Sequence, residues 1–255
     1  MRYLLTLLIF LVGCGPEWDT NAAPPAPTPA PIVTVEPAWT HYGPVREVKD
    51  RGPVLNDIDS HLPAGNVYTR ESDPVTACHE GTHGVNSGLR QVYGYAAFYV
   101  LNDRAVRITE PAITLSAVAR EVPASLRGFN YRLYFVQQLA DWNEHPTYPF
   151  DEWTAYTNGA EARLRRNIPD RDDTVQFCME FLPYSICVAK AAHDAGLPDD
   201  PQMKAFIQWQ AARCIRLGAE IKLTPPSMAA ADAESLRDFC HLYFGALWTA
   251  SNLGF

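Results

Sequence analysis

The sequence predicts an α+β fold that is predominantly α, and three observations carry that expectation. Capped, amphipathic stretches recur at helical spacing, one alternating segment folds back about an Asn-Asp pair, and no internal repeat points to a solenoid. The 255 residues, 47% of them hydrophobic, suffice for one substantial core, so one main domain is expected. A formal net charge of -8 and the lack of any Lys/Arg-rich run exclude the phosphate-binding surface that nucleic acid requires.

The chain opens on "MRYLLTLLIFLVGC", where Arg2 precedes an apolar run from Tyr3 to Val12 that is too short to span a bilayer. That pattern predicts an export signal over residues 1–13. Its end, Leu11-Val12-Gly13-Cys14, resembles a bacterial lipobox, which implies cleavage before Cys14, a lipid on its thiol and a membrane-anchored protein of the cell envelope. Gly15 stands where aspartate would favour retention in the inner membrane, so the resemblance points to the outer one. Residues 14–39 carry prolines every two or three positions and read as an extended spacer. The folded domain is expected over 40–255, and its first segment, Thr40 to Val54, is turn-rich.

The stretch that carries chemistry is "TACHEGTHGVNSG", Thr76 to Gly88. Ser72 or Asp73 can cap a helix there, and Pro74 suits its first position, where a missing N–H costs little. The spacing predicts a helix over Pro74 to Leu89. Its second turn holds His79-Glu80-Gly81-Thr82-His83, whose histidines, four apart, project from one face and can reach a single metal ion. Glu80 sits at the edge of that face, within reach of a metal-bound water, as a general base must be. The plain alternative is a surface helix with two solvated histidines. Gly81, Gly84 and Gly88 weigh against it, since each interior glycine costs roughly 1 kcal/mol relative to alanine unless something approaches closely: substrate, metal or a neighbouring helix.

This HExxH pattern resembles the active-site helix of the zincin metallopeptidases. The resemblance rests on the motif and its consequences, and it implies a zincin-like domain holding zinc. The metzincin extension, with a third histidine shortly downstream, is missing, so the gluzincin form is implied, in which a glutamate from a later helix completes the site. Glu110, Glu121, Glu144, Glu152 and Glu161 are the candidates. Glu110 ends the hairpin read in "AAFYVLNDRAVRITE", and Glu121 lies just before Pro123, so neither sits on a firm helix. "PFDEWTAYTNGAEARLRR" predicts a helix from Asp151 with Glu152 in its first turn, and Glu152 resembles the third ligand of lethal-factor-like gluzincins. A hairpin after the HExxH helix, instead of before it, departs from the usual gluzincin order. In lethal-factor-like enzymes a tyrosine upstream of this ligand stabilises the oxyanion, which implies Tyr148 first and His145 second, both on the loop leading to Glu152. Tyr156 lies one turn beyond. Asp141, Glu144 or Asp151 can orient a metal-bound histidine.

The C-terminal third predicts helices near Asp172 to Ala195, Asp200 to Leu217 and Ala231 to Ser251, a helical bundle behind the site. Besides Cys14 there are Cys78, Cys178, Cys187, Cys214 and Cys240, and export predicts two disulfides. Folding the helices antiparallel brings Cys178 towards Cys214 and Cys187 towards Cys240, leaving Cys78 buried behind the metal face. The functional expectation is a zinc-dependent hydrolase, a membrane-anchored metallopeptidase acting on a peptide, cell-wall or protein substrate. The alternative is a non-catalytic metal-binding envelope lipoprotein acting as a binding module.

Overall fold

A computed structural model of the chain describes residues 35–66, 72–94, 96–168, 173–226 and 229–253; the expected export signal, Cys14 and most of the spacer lie outside them. The fold is mostly helical with one small antiparallel sheet. No helix among the described residues is long and apolar enough to cross a membrane.

The expected hairpin is present as β2 (Ala96–Tyr99) and β3 (Arg104–Ile108), with Phe98 opposite Val106. Strand alternation divides its side chains between two cores, Phe98 and Val100 on one face, Ala97 and Tyr99 on the other. A third strand, β1 (Trp39–His41), pairs with β3 on its free edge. Three residues are too few to show alternation, and the turn-rich reading of this region missed it.

Helix α1 (Pro53–His61) packs on α2 (Pro74–Tyr93). Asp73 caps α2 by accepting the Thr76 N–H at 2.7 Å, and the helix runs one turn past the expected Leu89 before Gly94 ends it at φ 64. The glycines of α2 form the α1 contact. A Cβ on Gly81 would stand 2.5 Å from Ile58, one on Gly84 2.6 Å from Leu62, and one on Gly88 2.6 Å from Pro63. Of the three partners the sequence allowed, the neighbouring helix is the one that approaches, and it carries the Pro63–Asn66 loop to the edge of α2.

Between hairpin and active-site layer come α3 (Leu115–Glu121), α4 (Phe129–Arg132), a π turn (Leu133–Gln137) and α5 (Leu139–Trp142). Helix α6 (Tyr148–Arg165) then crosses the core between α2 and α7 (Asp173–Asp194). The expectation that α6 starts at Asp151, with Tyr148 on a loop, is corrected: Pro149 is accommodated in the first turn, so Tyr148 is itself helical and Glu152 sits one turn later on the same side. Helices α8 (Pro201–Glu220), α9 (Ala230–Phe244) and α10 (Ala246–Leu253) complete the expected bundle; the last predicted helix divides at Gly245, whose φ of 93 no helix accommodates.

The five described cysteines are free thiols, so neither expected disulfide is formed. The neighbours are nonetheless those the antiparallel folding predicts. Cys178 Sγ lies 2.7 Å from Cys214 Sγ, and the Cys187 thiol pKa is raised by burial first and by Cys240 next. Cys78 is wholly buried in the core behind α2, and burial raises its thiol pKa.

Candidate metal centre

The α2–α6 interface is held by a buried polar seam that fixes its register. Asn158 donates to Thr82 Oγ1 and to the Tyr99 carbonyl, each at 3.1 Å, and Asn86 donates to Asp151 Oδ1 at 2.8 Å while accepting the Tyr99 N–H at 2.7 Å. Such a network is costly unless satisfied, so it admits few alternative alignments of the two helices. In this one, Glu152 of α6 faces His79 and His83 of α2.

His83 Nδ1 lies 2.8 Å from Asp151 Oδ1, a carboxylate oxygen that can only accept, so Nδ1 donates and Nε2 is the nitrogen turned to His79 and Glu152. That nitrogen is 3.2 Å from His79 Nε2 and 3.6 Å from Glu152 Oε1, and His79 Nε2 is 3.6 Å from Glu152 Oε2. Glu152 is 2% exposed, and its Oε2 has no hydrogen-bond partner among the described residues. Two imidazole nitrogens and a buried carboxylate oxygen therefore face one another. A first-row metal with bonds of about 2.0–2.1 Å to nitrogen or oxygen sets tetrahedral ligands roughly 3.3 Å apart, which matches this spacing. His79, His83 and Glu152 form a group that can hold a metal ion.

The electrostatics agree with a site that wants positive charge. Burial, reinforced by His83, pushes the His79 imidazole down to about 4. Burial opposes charge on His83 too, but the Glu152 and Asp151 carboxylates outweigh it and hold that imidazole well above its ordinary value. Asp151, despite burial, is drawn down to about 2 by His83 and Arg90. Arg90 Nη2 donates to Asp151 Oδ2 at 2.8 Å, so the carboxylate that orients His83 is itself clamped from both sides.

Of the three acids able to orient a histidine, Asp151 takes the position, while Asp141 and Glu144 are exposed. Tyr148 comes to the site in a different role from the one its resemblance implies. Its hydroxyl donates to Glu152 Oε1 at 2.5 Å and its ring stacks on Trp142 at 4.1 Å, so it holds the ligand and its one proton is spent. His145 is exposed, 3.8 Å from Glu110, and does not border the cleft. The other glutamates are engaged elsewhere: Glu110 accepts from Thr147, Glu121 pairs with Lys190, and Glu161 takes Arg213 through Nε at 3.1 Å and Nη2 at 2.8 Å.

The histidines lie at the floor of a cleft of about 740 Å³. The Pro63–Asn66 loop walls one side, Tyr134, Gln138 and Trp142 the other, and Glu80 lines it beside His79. Tyr156 packs its ring on His79 at 4.3 Å and brings its hydroxyl 3.3 Å from that of Tyr134. Sequence reasoning missed Asn86, Arg90 and Tyr134. The first two lie three and seven residues past His83, on its own helical face, and that spacing was an available signal. Tyr134 gave none, because it stands in the π turn, where helical phase is lost. Comparison with family models, curated proteins and solved structures finds no match for this chain.

Proposed function

We propose that this protein is a zinc-dependent hydrolase, a metallopeptidase of zincin type, in which His79, His83 and Glu152 hold the ion. The observation that carries the reading is the orphaned Glu152 oxygen grouped with two imidazole nitrogens at an open cleft. Zinc in such a site lowers the pKa of a bound water and polarises the substrate carbonyl. The chain supplies the rest. Glu80, on the cleft wall one residue past His79, takes the water's proton and returns it to the departing amine. Asp151 keeps the His83 proton on Nδ1, so that Nε2 stays a donor to the metal. Tyr148 fixes the Glu152 carboxylate through Oε1 and leaves Oε2 for coordination. With Tyr148 so occupied, Tyr134 is the phenol placed to donate to an oxyanion from the cleft wall. On a chain carried by lipid on Cys14, the substrate is a peptide or protein of the cell envelope.

The test uses the full chain in detergent, with zinc content measured beside chelator-sensitive cleavage of a peptide library that includes cell-wall peptides. Parent protein cleaves, Glu80→Gln keeps its zinc and loses turnover, and His83→Ala loses the cleft zinc together with turnover. A Glu80→Gln variant as fast as the parent sinks the mechanism. Zinc binding without any cleavage replaces the hydrolase with a metal-holding binding module.

A further inference from the structure

Away from the cleft, α1 and the hairpin bring a second histidine together with two carboxylates. Asp57 and His61 stand four residues apart on one face of α1, and Asp103 reaches them from the β2–β3 turn. His61 is 1% exposed. Its Nδ1 lies 2.6 Å from the Asp57 carbonyl oxygen and 3.2 Å from Asp57 Oδ1, so the ring donates from Nδ1 and Nε2 is the nitrogen open to an ion. Nε2 faces Asp103 Oδ1 at 2.9 Å and the Tyr99 hydroxyl oxygen at 3.3 Å. The single Tyr99 proton is already given to Asp57 Oδ1 at 2.6 Å, while the Tyr99 oxygen accepts the Asp103 N–H at 3.1 Å. A positive charge, as a second ring proton or as an ion, belongs between Nε2 and Asp103 Oδ1.

The surroundings hold these donors in place. Asp57 Oδ2 accepts the Asn102 N–H at 2.7 Å, so both of its oxygens are oriented while each keeps a free lone pair. An imidazole with its distal nitrogen on a carbonyl, beside carboxylates steadied by outer hydrogen bonds, is how proteins present ligands to a metal. The three donor atoms lie within 4.8 Å of one another, close enough to share one ion. One nitrogen with carboxylate oxygens suits a borderline divalent ion such as zinc better than calcium, which takes oxygen alone. Charge points the same way: a dication balances two carboxylates, whereas a protonated histidine leaves one negative charge over.

We propose that Asp57, His61 and Asp103 form a second zinc site that pins α1 to the β2–β3 turn. Because α1 leads straight into the Pro63–Asn66 loop, the ion steadies the wall of the cleft. The site is structural, and it stands whether or not the cleft is catalytic.

Equilibrium dialysis of the full chain in detergent against buffered zinc tests it, with folding followed by circular dichroism. The parent should hold two zinc ions per chain, and His83→Ala should hold one. Adding Asp103→Asn to His83→Ala should weaken that remaining zinc by roughly 100-fold, because a charged ligand becomes a neutral one. Asparagine tolerates the φ of 58 at this half-exposed turn position, so the variant keeps its backbone. Zinc should raise the melting temperature of His83→Ala and leave that of the double variant unmoved. A folded His83→Ala chain that takes up no zinc overturns the proposal and leaves an imidazolium clasped by carboxylates. One zinc in the parent, lost with Asp103→Asn but kept by His83→Ala, upholds this site while removing the ion from the cleft.

Discussion

At the floor of the cleft, His79 and His83 stand four apart on α2 with Glu152 facing them; on α1, Asp57 and His61 stand four apart with Asp103 facing them. The spacing along the helix is the same and the surroundings differ. The α2 cluster opens into about 740 Å³ of polar cleft and has Glu80 beside it. The α1 cluster has Tyr99 and Tyr42 against its buried His61, with the Tyr42 ring 5.6 Å away, while Asp103 stands half-exposed on the turn. Open coordination with a nearby base is what separates catalytic from structural metal sites, so the same parts serve different ends.

The comparison is broken most easily at Glu80, which has no counterpart on α1. Glu80→Gln should lower turnover by about 10²- to 10⁴-fold with zinc content unchanged, the range that removal of a general base commonly produces. Asp103→Asn, assayed alongside, should leave kcat within a few fold and act on the melting temperature. If both variants lose turnover equally, access and base do not distinguish the two sites.

Next in size is the support behind each histidine. Asp151→Asn should weaken zinc in the cleft by about 10- to 100-fold, because neutral asparagine no longer favours the Nδ1 proton that frees His83 Nε2. The equivalent acceptor behind His61 is a backbone carbonyl, which no substitution at Asp57 removes. Asp57→Asn should therefore cost the α1 site one charged ligand and leave His61 in its tautomer. Zinc titrations of both variants check the contrast, and an unchanged affinity in Asp151→Asn defeats it.

The two phenols of the cleft sharpen the difference between holding a ligand and touching substrate. Tyr148→Phe removes the hydrogen bond to a buried carboxylate, which should weaken zinc by about tenfold, from the roughly 1.5 kcal/mol such a bond contributes. Tyr134→Phe should leave zinc alone and lower kcat at constant KM. The opposite pattern would restore to Tyr148 the oxyanion role that the resemblance implies.

How much of this was legible in the sequence follows from which contacts are local. The α2 helix, its Asp73 cap and the pair His79 and His83 lie within one segment and could be read from spacing alone. Glu152 was found through its helix, although the start was misplaced because Pro149 reads equally well before a helix or inside its first turn. Asp151 could not be singled out, since the choice depends on the α2–α6 register set by the Asn86–Asp151 and Asn158–Thr82 hydrogen bonds, whose partners lie 65 and 76 residues apart in the chain. The α1 cluster was invisible for the same reason. Asp103 meets His61 only through a turn of three consecutive left-handed residues, Leu101, Asn102 and Asp103, and a sequence shows the turn without showing what it touches.

The smallest expected effect on the metal comes from the other buried glutamate of α6. Glu161 lies nine residues past Glu152 on the opposite side of the helix and is satisfied by Arg213, where Glu152 is left with an orphaned oxygen. Burial would raise the Glu161 carboxyl, but Arg213 outweighs it and holds the group below its ordinary range. A depressed folded pKa means that this stabilisation is present above about pH 4.3, the ordinary glutamate value, and is lost as pH falls through the lower folded value. In metal-free protein, acid should therefore weaken the parent over that interval. Glu161→Gln, which has no proton to take up there, should show a flatter loss of melting temperature with falling pH. Its starting stability should be lower, because Arg213 is left buried without a counter-charge. Zinc stoichiometry at neutral pH should be the same as in the parent. If Glu161→Gln loses an ion, the third ligand is Glu161, and the pairing with Arg213 does not exclude it from the metal.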